Sequence, residues 1–380
     1  MNIAQLRKLT YDEVAKCNRC GFCLPSCPIY LVEKTESSSP RGRNAITRSV
    51  IEEKLNLSPD TEKSIFSCLG CGACVEVCLS SVATKDIIFR DRECQVGEGI
   101  YPKIAEQLAR TLDRVHNISD DENEERGEWR ELIKDLPENA FEKEHAEVIF
   151  FVGCVSSFFP MVQKIPVNMS HIMERAGVDF TILGGEEWCC GFPLIGAGMP
   201  EKMKRLVDHN LKKVEEIGAK AIVFTCPSCY HTWKYLYKTD VRLYHASQMM
   251  DELIKEKGLS LKEINTTVTY HDPCDLGRNS GIFDEPREVL NAIPGLKLVE
   301  LPLNRQFSVC CGGGGNLEMT DPELSGKVAQ MKLEAIQKTG AEMVVTACQQ
   351  CVRTLASRVR RQGTELKVMD LTDIVLMAIG

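Results

Sequence analysis

Short apolar runs alternate with longer amphipathic stretches over the C-terminal two-thirds of the chain, and the alternation occurs twice. Glu147–Gly153 is a run of aliphatic and aromatic residues that reads as a buried strand, as do Asp179–Leu183 and Ala221–Thr225. Between them, Pro160–Ala176 and Pro200–Ile217 carry helical spacing and end at Gly177 and Gly218. The second round places strands at Thr267–Tyr270, Leu296–Leu301 and Met343–Thr346, with a helix from about Pro322 to Lys338 and a further run, Lys367–Leu371, near the end. Strand–helix alternation of this kind implies parallel α/β sheets, whose ligands gather at the carboxyl ends of the strands.

The N-terminal part has a different texture. Residues 1–16 read as an amphipathic helix. Ile46, Val50, Ile51 and Leu55 follow Ser39-Pro40-Arg41-Gly42-Arg43 at helical spacing, so the region to about residue 110 is expected to be mostly α-helical. Residues 118–128 form an acidic polar run that reads as a linker or exposed loop.

Composition narrows the function classes. The chain has 380 residues, 43% of them hydrophobic, 26% charged and a net charge of −8, which is an ordinary globular mixture that argues against nucleic acid as a partner. No apolar run reaches the roughly 18 residues of a membrane span. Met1–Lys8 lacks the apolar core of a signal peptide. The expected location is cytoplasmic, or peripheral to a membrane through partners. Nineteen cysteines without an export signal point to thiolates held on metal in a reducing compartment rather than to disulfides.

The cysteines fall into groups. Cys17, Cys20, Cys23 and Cys27 repeat the spacing of Cys68, Cys71, Cys74 and Cys78, and both runs read C-x2-C-x2-C-x3-C, the ferredoxin spacing for [4Fe–4S] clusters. The fourth Cys of such a run crosses to the other cluster. One cubane is therefore expected on Cys17, Cys20, Cys23 and Cys78, and the other on Cys68, Cys71, Cys74 and Cys27. Gly21, Gly70 and Gly72 are expected to let the backbone approach the sulfides. Arg41 and Arg43 stand either as counter-charges to a cluster or as a solvated helix start. Cys94 lies outside every group and reads as a core thiol.

Ten further cysteines form two matching sets: Cys154, Cys189, Cys190, Cys226 and Cys229, then Cys274, Cys310, Cys311, Cys348 and Cys351. Corresponding members lie 120, 121 and 122 residues apart, so this is an internal repeat. Each group follows a strand, which brings five thiols to one end of one sheet. Five thiols exceed the need of one tetrahedral zinc. The residues alone leave an unusual iron–sulfur cluster, with zinc plus a spare thiol as the alternative. Gly312–Gly315 lacks the Gly-Lys-Ser/Thr ending of a phosphate loop.

The repeated Cys…Cys-Cys-Gly…Cys-x-x-Cys pattern resembles the cysteine-rich CCG domains of heterodisulfide reductase. Ferredoxin runs followed by two such domains resemble the D subunit of that enzyme, the iron–sulfur subunit of glycolate oxidase and its lactate-oxidising relatives, and an electron-transfer subunit associated with class II benzoyl-CoA reductase. The resemblance implies an α+β multi-domain chain: a helical di-cluster ferredoxin-type domain at 1–110, an acidic linker at 111–146, and two tandem α/β CCG domains with parallel sheets at 147–262 and 263–380. It also implies a noncubane [4Fe–4S] cluster on each CCG set, with zinc at one of the two as the alternative. Many relatives have His after the cysteine that matches Cys274; this chain has Asp275, which weakens a proton-delivery role there. His271 remains as a candidate donor behind the ligands.

Two functions follow. The first is an iron–sulfur electron-transfer subunit of a multi-subunit oxidoreductase. No GxGxxG-type fingerprint is present, so two-electron chemistry is expected from a partner, either a flavoprotein dehydrogenase or a haem membrane subunit. The second is a disulfide or heterodisulfide reductase. Its catalytic set would be Cys274, Cys310, Cys311, Cys348 and Cys351, with Gly312 and Gly313 leaving the cluster edge open and Phe192-Pro193 shielding the first set.

Overall fold

The computed structural model describes residues 1–133, 141 and 143–380. Residues 134–140 and 142, part of the expected 111–146 linker, lie outside the described residues. Internal packing divides the chain into two compact units.

The first unit comprises residues 1–110 with segments 193–203 and 303–334. It is helical for local reasons that the sequence states. Asn2 and Gln5 form a capping box that starts the helix Ile3–Ala15. Ser39 caps Pro40–Ile51, with Pro40 in the first turn, where its missing N–H costs nothing. Ser58 and Thr61 repeat the device for Pro59–Phe66. The helices Ile3–Ala15, Pro40–Ile51 and Thr84–Gly97 pack on one another. Leu6, Val14, Ile51, Val82, Ile87 and Cys94 form their shared core, and Cys17 and Cys78 pack against it.

The second unit comprises 111–192, 204–302 and 335–380 and holds two four-stranded parallel sheets. The first contains β1 (Val148–Phe151), β2 (Phe180–Thr181), β3 (Ala221–Phe224) and β4 (Arg242–His245), in the order β2-β1-β3-β4. The second contains β5 (Thr266–His271), β6 (Leu296–Val299), β7 (Met343–Thr346) and β8 (Lys367–Asp370), in the equivalent order β6-β5-β7-β8. Every residue of β1, β3 and β7 is buried, as in sheets covered on both faces. One continuous core takes residues from both sheets, among them Phe150, Phe224, Tyr270 and Val345.

In each sheet the chain leaves its first strand, β1 or β5, to one side and later returns on the other side of it. The crevice between β1 and β3, and that between β5 and β7, is the place where such a sheet opens at its carboxyl edge.

The acidic run is not an exposed loop throughout. Asn123–Leu132 is a 3₁₀ helix with Asn123, Arg126 and Trp129 buried. Those three residues are spaced by three, the period of a 3₁₀ turn, so one face is buried while the acids line the other.

Candidate metal centres

In the first unit, a small cavity is lined by Cys27, Cys68, Cys71 and Cys74, the crosswise set expected from the spacing, with Arg43 beside them. Burial pushes the Cys27 and Cys74 thiols up, and the neighbouring thiols add to this. Four thiols around one cavity, Cys27 and Cys71 buried and Cys68 and Cys74 half-buried, fit a group that takes them as thiolates.

Arg43 and Arg41 part company, the first beside the thiols and the second toward the surface. Arg43 is buried, donates to Ser64 O (2.7 Å) and Ser67 Oγ (3.0 Å), and brings its guanidinium within 3.9 Å of Cys27 Sγ. Arg41 is half-exposed, pairs with Glu36 and donates to Arg19 O.

The other ferredoxin set is nearer the surface. Cys20 is exposed, and Cys17, Cys23 and Cys78 are half-buried. Asn18 Nδ2 donates to Ser80 Oγ at 2.8 Å and ties the loop after Cys17 to the loop after Cys78. Gly21 and Gly70 have positive φ, but the space beside them is taken by side chains. A Cβ would lie 2.8 Å from Arg41 Nη1 at Gly21 and 2.6 Å from Phe89 Cζ at Gly70. Cys94 is completely buried, and burial lifts its thiol to about 12.

Gly312–Gly315 lies in this unit. A Cβ at Gly312 would meet Ser325 O at 2.7 Å, and one at Gly315 would meet Cys68 O at 2.7 Å. Arg92, fully buried, donates to the carbonyls of Phe66, Cys68, Gly196 and Gly315, so the tetraglycine is drawn tightly onto the Cys68 loop.

In the second unit the first CCG set converges. Cys154 begins the turn after β1. Cys226 caps the helix Pro227–Leu236 after β3, with Cys229 in its first turn. Cys189 and Cys190 complete the group, and no member is more than 8% exposed. The thiols are linked by hydrogen bonds from Cys154 to Cys189 and from Cys189 to Cys190, and Cys229 shares its single S–H between Cys190 and Cys226. Cys190, accepting from Cys189 and Cys229, is lowered, whereas Cys154 is held well above the usual thiol range by donating to Cys189 and by burial. Five free thiols gathered at one switch point, each within reach of another, fit metal ligation. Gly153 (φ 79°) admits them, because a Cβ there would stand 3.2 Å from Cys229 Sγ.

Arg126 reaches this site from the 3₁₀ helix. It donates to Cys154 Sγ (3.4 Å) and pairs with buried Glu187 (2.8 Å), whose carboxylate accepts from the N–H groups of Val152 and Gly153.

In the second set, Cys274 follows β5, and Cys348 caps the helix Gln349–Gln362, accepting from Cys351 N at 3.4 Å. Cys310 and Cys311 are buried in segment 303–334 of the first unit. His271 is the fully buried last residue of β5, and its carbonyl accepts from Thr346 Oγ1. Cys274 is half-buried, the other nine CCG thiols buried.

The sequence matches the cysteine-rich domain family over residues 148–234 and 268–356, and the 4Fe-4S dicluster domain over 13–82. The chain belongs to the CCG-domain iron–sulfur oxidoreductases. It is 29% identical to the D subunit of the dihydromethanophenazine:CoB–CoM heterodisulfide reductase of Methanosarcina mazei, covering 97% of this chain and 94% of that one. It is 27% identical to the probable glycolate oxidase iron-sulfur subunit of Bacillus subtilis, over 98% and 96%. With the EtfAB:quinone oxidoreductase of Syntrophomonas wolfei it shares 26% identity over 97% of this chain, which matches 58% of the relative. A hypothetical protein from Helicobacter pylori has a similar fold, with a TM-score of 0.53 at 12% identity, over 89% of this chain and 65% of that one. The protein is thus an iron–sulfur oxidoreductase subunit. Among the described residues no helix is long and apolar enough to cross a membrane.

The CCG motifs hide residues that their spacing treats as filler. Gln349, inside Cys348-Gln-Gln-Cys351, donates to Val152 O and Thr225 Oγ1, both at 2.7 Å, and accepts from Ser156 N at 3.1 Å. It therefore braces the strand ends that carry the first set. In return Ser228, inside Cys226-Pro-Ser-Cys229, donates to Asp275 Oδ2 at 2.6 Å, next to Cys274.

Proposed function

We propose that this chain is an electron-relay subunit holding two [4Fe–4S] cubanes and two CCG-bound clusters, and that it exchanges electrons with a flavoprotein or haem partner subunit. The cubanes would be held by Cys17, Cys20, Cys23 and Cys78 and by Cys27, Cys68, Cys71 and Cys74. The CCG clusters would be held by Cys154, Cys189, Cys190, Cys226 and Cys229 and by Cys274, Cys310, Cys311, Cys348 and Cys351. The domain bounds are those set out from the sequence, with the helical domain to about residue 110. Bound clusters supply one-electron donor and acceptor centres; the chain's part is to hold the thiols, exclude water and fix the charge around them.

The observation that carries this reading is the burial of the first CCG set. A dry, five-thiol site has no room for a substrate but allows electron exchange. The relatives named as oxidoreductase subunits support it.

The second reading, disulfide reduction at the second CCG set, is favoured by the partial exposure of Cys274 and by the match to a heterodisulfide reductase subunit. Cys310, Cys311, Cys348 and Cys351 would then be catalytic with it, and Gly312, Gly313 and His271 would border the cluster. One experiment separates the two. Protein reduced by methyl viologen is offered the CoB–CoM heterodisulfide, and separately a one-electron dye. The relay reading expects reoxidation by the dye and no thiol release. Two thiols released per two electrons would replace it with the reductase reading.

A further inference from the structure

Charge at the first CCG set is arranged asymmetrically, and Arg126 is the reason. Among the described residues, Cys189, Cys190 and Cys226 take protein hydrogen bonds from backbone N–H groups or from other thiols. Cys154 alone in the set takes one from a charged side chain, the Arg126 guanidinium.

That guanidinium is buried, and each of its three nitrogens donates. Nε donates to Asn123 Oδ1 at 3.2 Å, Nη1 to Glu187 Oε1 at 2.8 Å and Nη2 to Cys154 Sγ at 3.4 Å, with the Phe158 ring 5.2 Å away. Glu187 is anchored in turn by Val152 N and Gly153 N, both at 2.8 Å. The pair is neutral as a whole, but its positive end faces the thiols and its negative end faces the backbone. A buried ion pair brings little net stability over an apolar replacement, so its retention here needs another reason. Hydrogen bonds to ligand sulfur and nearby positive charge both favour the reduced, more negative state of an iron–sulfur centre.

We propose that Arg126 is a positioning residue that raises the reduction potential of the cluster bound by Cys154, Cys189, Cys190, Cys226 and Cys229, with Glu187 moderating it. The 3₁₀ helix Asn123–Leu132 serves to deliver that charge. This rests on the reading that the set binds an iron–sulfur cluster.

The two members of the pair predict opposite signs. Arg126→Gln removes the positive end, so the one-electron reduction constant should fall at least tenfold, a shift of about 59 mV or more to lower potential. Glu187→Gln leaves Arg126 less compensated, so the potential should rise. Arg126→Lys keeps the charge and should stay within tenfold of the parent. The measurement is an EPR-monitored redox titration of the full chain with its clusters, with mediators supplying the single electron. The signal is assigned by its loss in Cys190→Ser, and iron is counted in every variant.

Opposite shifts in Arg126→Gln and Glu187→Gln with iron retained bear the inference out. Shifts in the same direction, no shift, or loss of the cluster from Arg126→Lys would overturn it and make Arg126 a scaffold residue. A parent protein with no cluster signal lost in Cys190→Ser, and with zinc in place of that iron, would overturn the cluster reading itself.

Discussion

Replacing Gly315 by Ala tests what the tetraglycine is for. Gly315 has φ of 60°, where a non-glycine residue costs about 1–2 kcal/mol. The added Cβ would lie 2.7 Å from Cys68 O and from Leu69 C, and 2.8 Å from Leu69 O. These are backbone atoms of the loop that carries a proposed cubane ligand, so the loop must move. Overpacking of that kind adds about 1–3 kcal/mol. The expected total is about 2–5 kcal/mol.

Gly99 is the control in the same unit: its φ is 78°, and nothing lies within 4 Å of an added Cβ. Gly99→Ala should cost the backbone part alone, about 1–2 kcal/mol. At about 2–4 °C per kcal/mol, the two variants should separate by roughly 2–12 °C in apparent Tm, compared at one scan rate because cluster loss is irreversible. Iron should fall in Gly315→Ala and stay at the parent level in Gly99→Ala. If both variants lose the same stability and keep all their iron, the glycines are not there for close packing, and an open cluster edge regains its claim.

Cys94→Ser should leave iron content and cluster spectra unchanged, while the hydroxyl in an apolar pocket of Leu6, Val14, Ile51 and Ile87 costs about 1–3 kcal/mol in denaturant unfolding; loss of one cluster's signal would show Cys94 to be a ligand. His245 is buried, its pKa pressed down by burial to about 3 from 6.5. Its neutral form is therefore the folded one, and the stability this brings is complete above pH 6.5 and lost as pH falls toward 3, by up to about 1.4 kcal/mol per unit. His245→Asn, which keeps a side-chain acceptor for Ser247 N, should flatten the unfolding midpoint against pH over that window; an unchanged acid limb would assign the loss to other groups.

The parallel sheets were readable in the sequence because β1, β3 and β7 are buried on both faces and so are unbroken apolar runs. The cysteine repeat then showed that the second sheet copies the first. β4 has no such signal: Arg242 is exposed and Leu243 half-buried, leaving only Tyr244 and His245 inside. The 3₁₀ helix Asn123–Leu132 escaped because its acids dominate the composition, and its buried positions recur every third residue rather than at the α-helical period. Arg126, Gln349 and Ser228 are beyond motif reading for a related reason. A ligand spacing states which residues touch the metal, whereas these act from one element on the ligands of another, and only the packing brings them there. Arg43 was visible as a candidate; its choice between cluster and solvent was decided by the burial of its face of the helix.

Metal content of the anaerobically purified full chain tests the central claim most directly. Iron, acid-labile sulfide and zinc are measured on the same sample against protein by amino-acid analysis. Four [4Fe–4S]-type centres require about 16 iron atoms and about 16 sulfides per chain with negligible zinc. About 8–12 irons together with one or two zinc atoms per chain would contradict it and make at least one CCG set a zinc site.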